Sequence, residues 1–142
     1  MIFVDTSAWL ALVDPADAHY SEAREFEEGL RRGAHGKLVT SDFVLDETIT
    51  IVRDKAGMAR ARDLSRALLD SPNVHVLRVG ESQFRDALGL LFSHEDKSWS
   101  LTDCTSFVLM RGMEIDSAFT FDSDFRQAGF AALPSVRRRS RR

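Results

Sequence analysis

The chain has 142 residues, enough for one domain with a sizeable core, and its 44% hydrophobic and 29% charged residues describe an ordinary globular protein. No apolar stretch approaches the roughly 18 residues of a bilayer span, no basic leader precedes the first apolar run, and the lone Cys104 excludes an internal disulfide. These features predict a cytoplasmic protein with no membrane attachment, whose net charge of −3 hides an acidic body and five arginines crowded into positions 137–142.

In chain order, Ile2-Phe3-Val4 is a short apolar run that stops at Asp5, the pattern of a buried strand with a carboxylate at its C-terminal end. Ser7, Ala8, Trp9 and Leu10 begin a helix. Residues 21–32 form a charged amphipathic helix with Ala23, Phe26 and Leu30 on one face, closed by Gly33 and Gly36. Leu38-Val39-Thr40 reads as a second strand. Ser41 or Asp42 caps a helix that runs to about Lys55 and stops at Gly57. Residues 59–69 make another helix before Pro72, residues 74–79 a third strand, and residues 82–92 a further helix. The stretch 94–100 is polar and loop-like, and Thr102 is expected to cap a helix that Gly112 ends. Residues 118–121 are a fourth strand stopping at Asp122, a short helix leads to Gly129, and residues 130–133 are an edge strand before Pro134.

Strands separated by helices imply right-handed crossovers and a mainly parallel sheet covered on both faces. The expected fold is α/β, a three-layer α/β/α sandwich. No interdomain linker is visible, so the expected organisation is one domain over residues 1–136 and an Arg-rich, disordered tail over residues 137–142.

Most of the 22 acidic residues must face solvent, and position separates the others. Ligands of open α/β sheets bind beyond the carboxyl ends of the strands, where Asp5 and Asp122 both fall. Phe43, Glu47 and Ile51 recur at i, i+4 and i+8 with Val44, Thr48 and Val52 alongside, which puts Glu47 in an apolar stripe of its helix. A carboxylate there needs a cation or an arginine partner. Asp103 falls in the first turn of its helix, where an acid complements the helix dipole; beside two strand-end aspartates it gains a second meaning. Asp124 reads as a helix-start acid with reach to the same site through water. Carboxylates gathered without a cation repel one another, and oxygen ligands suit Mg²⁺ or Mn²⁺. Such ions hold a phosphodiester, lower the pKa of an attacking water and stabilise the leaving oxygen. That is the chemistry of a metal-dependent nuclease.

Four segments, Ile2-Phe3-Val4-Asp5-Thr6-Ser7, the Glu47 helix, Ser100-Leu101-Thr102-Asp103-Cys104 and Thr120-Phe121-Asp122-Ser123-Asp124-Phe125, run in this order over nearly the whole chain. In this the chain resembles the PIN-domain ribonucleases, most closely the VapC-type toxins of VapBC toxin–antitoxin pairs. The resemblance implies a parallel α/β/α sandwich and an Mg²⁺- or Mn²⁺-dependent endoribonuclease acting on RNA. It makes Asp5, Glu47, Asp103 and Asp122 the metal-binding quartet, with Ser7 and Thr120 as polar support. It also implies a cognate antitoxin protein and a homodimer. The Arg-rich ending is not part of the family pattern.

Other chemistries find less support. The four histidines, His19, His35, His75 and His94, are scattered without metal-ligand spacing, and Cys104 falls within an apolar helical pattern that suits a small core residue. No G-x-S-x-G or glycine-rich phosphate loop occurs. Trp99, in the polar loop beside Lys97, is either an aromatic anchor or a base-stacking residue. An aspartyl-phosphate phosphatase would want an acid where Ser7 stands and a lysine near the late strand. A phosphoryl receiver would want paired acids after the first strand. Two alternatives remain open, a housekeeping RNA-processing PIN nuclease and a non-catalytic PIN-like binding module; the presence of all four acids argues against the latter.

Overall fold

The computed structural model describes residues 1–135, so the tail at 137–142 and the expected domain end at 136 lie outside the described residues. The first strand, β1 (Ile2–Val4), is buried at every residue. A run apolar on both faces belongs in the middle of a sheet covered by helices on each side. It lies there: β1 pairs in parallel with β2 (Leu38–Ser41) on one side and β4 (Ser117–Phe119) on the other. The edges are β3 (Val74–Leu77), parallel to β2, and β5 (Ala131–Leu133), parallel to β4, giving a five-stranded sheet of order β3-β2-β1-β4-β5. The chain leaves β1 toward β2 on one side and returns to β4 on the other, so the sheet reverses direction at β1. Such a switch point leaves a crevice beyond the strand ends, and Asp5 opens onto it.

Helices α1 (Thr6–Val13) and α2 (Tyr20–Arg31) connect β1 to β2. Next come α3 (Asp42–Ala56) and α4 (Met58–Asp70), joined at Gly57, whose φ of 95° is a conformation that glycine alone adopts readily. Helices α5 (Glu81–Phe92) and α6 (Leu101–Gly112) lead from β3 to β4, and the short α7 (Asp124–Gln127) leads to β5. Phe3, Phe107, Phe119 and Phe125 are fully buried. Phe107 meets Phe125 edge-on at 5.0 Å between ring centroids, which fastens α6 to α7 over the sheet.

Two expectations are corrected. Helix α6 is capped by Ser100, whose Oγ accepts the Asp103 N–H at 3.0 Å, while the Thr102 carbonyl serves inside the helix as acceptor for Thr105 and Ser106 hydroxyls. The fourth strand ends at Phe119, so Asp122 stands in the following loop rather than at the strand's tip. Of the two readings of Trp99, the structure takes the aromatic anchor: it is 7% exposed and packs edge-on against Phe107 at 5.1 Å.

Candidate active site

Asp5 is 3% exposed and sits at the N-cap of α1, yet its side chain makes no capping bond. Instead its Oδ2 accepts from Ser7 Oγ and Thr120 Oγ1, each at 3.0 Å. The two hydroxyls lie 3.2 Å apart, and each accepts a backbone N–H from the loop after β4: Phe121 donates to Ser7 Oγ and Asp122 donates to Thr120 Oγ1, both at 3.0 Å. With their lone pairs engaged by backbone, both hydroxyl protons are directed at one carboxylate oxygen. Among the described residues no side chain donates to Oδ1. Burial nevertheless pushes Asp5 up to about 6, against the lowering effect of these hydrogen bonds and with a further rise from the charge of Asp122.

Asp103 arrives from the first turn of α6 in a capping box: its Oδ2 accepts the Ser100 N–H at 2.9 Å while Ser100 Oγ returns the favour to the Asp103 backbone. Asp122 Oδ1 accepts the Asp124 N–H at 3.0 Å. Asp103, Asp122 and Asp124 each present a carboxylate oxygen, and these oxygens all lie within 4.8 Å of one another. Burial first, then the negative charges of Asp5 and Asp122, raise Asp103 to about 6. Burial, the charge and hydrogen bond of Asp122, and then Asp103 raise Asp124 to about 7. Among the described residues no Lys, Arg or His forms a salt bridge with any of these four acids. Oxygen-only ligands, closely spaced, partly dehydrated and without a cationic partner, fit a hard divalent cation.

The sequence-predicted residues are therefore unequally placed. Asp5, Ser7, Thr120 and Asp122 form one hydrogen-bonded unit, and Asp103 adjoins it closely enough that the charges of Asp5 and Asp122 act on it. Glu47 lies on α3, half-buried, outside the trio of close oxygens and without an arginine partner among the described residues. The buried face of α3 is Val44, Leu45, Thr48 and Val52, so Glu47 flanks the apolar stripe instead of occupying it. Asp124, expected as a helix-start acid with reach to the site through water, is 8% exposed and one of the trio of close oxygens. Cys104, next to Asp103, is fully buried, and burial together with the Asp103 charge pushes its thiol up to about 11, which removes it as a nucleophile near neutrality.

Residues 2–131 match the PIN domain family. The chain is 37% identical over 133 residues to the 23S rRNA-specific endonuclease VapC20 of Mycobacterium tuberculosis, covering 94% of this chain and 98% of that protein. The crystal structure of that VapC20, described as a sarcin–ricin-loop-cleaving toxin, superposes with a TM-score of 0.84 at 34% identity over 92% of this chain and 97% of the other. The crystal structure of FitAcB from Neisseria gonorrhoeae shares the fold, with a TM-score of 0.65 at 16% identity over 93% of this chain and 96% of that one. An acid cluster at the switch point of a five-stranded parallel sheet and a match over nearly the whole length agree: the chain belongs to the PIN-domain family.

Proposed function

We propose that this chain, a ribonuclease toxin of the PIN family, cuts RNA using one or more Mg²⁺ or Mn²⁺ ions held by Asp5, Asp103, Asp122 and Asp124, with Glu47 completing the set from α3. The observation that carries the reading is the convergence of Asp103, Asp122 and Asp124 oxygens within 4.8 Å, next to a buried Asp5 and with no salt-bridging cation among the described residues. A bound divalent ion supplies phosphate neutralisation and a water of lowered pKa. The residues do the rest. Ser7 and Thr120 fix the Asp5 carboxylate, the capping box fixes Asp103, and the Asp124 N–H fixes Asp122. Three carboxylates raised toward neutrality must shed protons before they can ligate.

The substrate we assign is a looped RNA of the large ribosomal subunit, by similarity to the relative named for cleaving 23S rRNA. We assign a protein antitoxin as partner on the same ground, and a housekeeping nuclease without antitoxin is the rival. Cytoplasmic action follows from that substrate; among the described residues no helix is long and apolar enough to cross a membrane. A homodimer is supported by Met58 and Leu69, 60% and 63% exposed along α4.

The test is incubation of the chain with total RNA and Mn²⁺ or Mg²⁺ and mapping of the new ends. Cleavage at one or a few loops, abolished by EDTA and by Asp103→Asn, is expected. Cleavage undiminished in excess EDTA would overturn the metal mechanism. A short adjacent reading frame whose product copurifies with the chain and silences it separates the toxin from the housekeeping enzyme.

A further inference from the structure

We infer that the cleft running outward from the acids is a nucleotide platform, on which His19 and Phe121 stack a base beside the scissile phosphate while Arg126 holds a phosphate of the same strand. The inference rests on the nuclease reading above and names the part of the substrate that the site grips. Ser7 and Asp122 of the acid site also line an open cleft of about 490 Å³, and His19, Phe121 and Arg126 form much of its remaining wall. The His19 and Phe121 rings lie 4.4 Å apart and 8° from parallel, with the histidine side chain 49% exposed.

The platform is anchored from below. Phe121 meets Phe119 edge-on at 5.9 Å, and Phe119 meets Phe26 at 4.8 Å, so the ladder descends into the fully buried core. From the other side, Asp17 Oδ1 accepts the His19 backbone N–H at 2.8 Å, and Glu22 Oε2 stands 3.8 Å from His19 Nδ1. A flat ring backed by Phe121, on a backbone tied to Asp17, and presented to solvent suits a nucleobase, since every base offers a π-face. Charge points the same way. Polyanionic RNA must approach a cluster of carboxylates, and Arg126 is exposed in the same cleft with no salt bridge among the described residues. It stands one turn beyond Asp122, where it can take a phosphate adjacent to the cut.

The test measures binding in an Asp5→Asn background, so that no probe is cut. Two fluorescein-labelled single-stranded RNAs are used, one with bases and one abasic throughout, and affinity is read by fluorescence anisotropy. His19→Ala is expected to weaken the base-bearing RNA by about tenfold, and His19→Phe to restore it, with the abasic RNA indifferent to both changes. Arg126→Ala is expected to weaken both probes and to lower the slope of log affinity against log salt by about one. An unchanged affinity of His19→Ala for the base-bearing RNA would overturn the platform, as would an equal loss on the abasic probe. Cleavage by the otherwise unaltered chain is scored separately. A chain that binds RNA but leaves it intact with Mn²⁺ overturns the nuclease reading while the binding arms still decide the platform.

Discussion

Asp5 holds the N-cap of α1, where its carbonyl accepts the Trp9 N–H at 3.1 Å, but its carboxylate makes no side-chain cap and is held by the Ser7 and Thr120 hydroxyls instead. Removing one of those hydroxyls has two effects. Ser7→Ala takes a donor from Asp5 and strands the Phe121 N–H, so a loss of about 1–3 kcal/mol in urea unfolding is expected. It should also raise the Asp5 pKa and move the acid limb of the pH–rate profile upward; a profile that does not move would refute the assigned role. Asp5→Asn should abolish cleavage with the thermal melt retained. The raised carboxyls give a signed pH dependence. Asp5 and Asp103 at about 6 and Asp124 at about 7 bind protons more tightly folded than unfolded. Their contribution to stability is therefore full below about pH 4 and is lost as pH rises to about 6–7. A divalent ion binds the ionised forms, so the melting increment from Mn²⁺ should be small at pH 5 and grow through pH 7. An increment independent of pH would contradict this. Asp5 was legible because an apolar run ends on it. Asp124 was legible only as a helix-start acid with reach to the site through water; its burial goes with the packing of α6 on α7, which no local pattern records.

At the level of the element, Asp103 serves two masters. One carboxylate oxygen closes the capping box of α6 and the residue still reaches the trio, so the first turn of the helix is also a wall of the site. Ser100→Ala should cost roughly 1 kcal/mol of stability through the lost cap and should also weaken Mn²⁺ binding, by calorimetric titration, because the Asp103 backbone is no longer held. Stability loss without any change in Mn²⁺ affinity would separate the two roles. The sequence placed this helix and its acid but chose Thr102 as the cap; both residues suit the position chemically, and it is Ser100 whose backbone is extended and whose Oγ meets the Asp103 N–H. The phase of α3 was likewise ambiguous. Phe43, Glu47 and Ile51 are apolar-spaced, but the face that meets the sheet and α6 is one residue round the helix, which leaves Glu47 at its border.

For the whole molecule, strand order could be anticipated only as parallel with crossovers; that β1 is central depends on which strands it hydrogen-bonds, information carried by long-range contacts. Met58 and Leu69 lie roughly three turns apart on α4 and so share a face. If that face joins two copies, Leu69→Glu should convert a dimer seen by light scattering to a monomer with its melting behaviour kept; a monomer before substitution would dispose of the dimer. The chain's one thiol has a different use. Cys104 is fully sealed, weakly acidic, and adjacent to a carboxylate of the trio, so a disulfide reagent can label it only during the moments when α6 lifts from the sheet. Its labelling rate is a clock for the opening of the catalytic wall, readable without any substrate. Occupation of the acids by Mn²⁺ should slow that clock, and an unaltered rate would mean that metal and helix move independently.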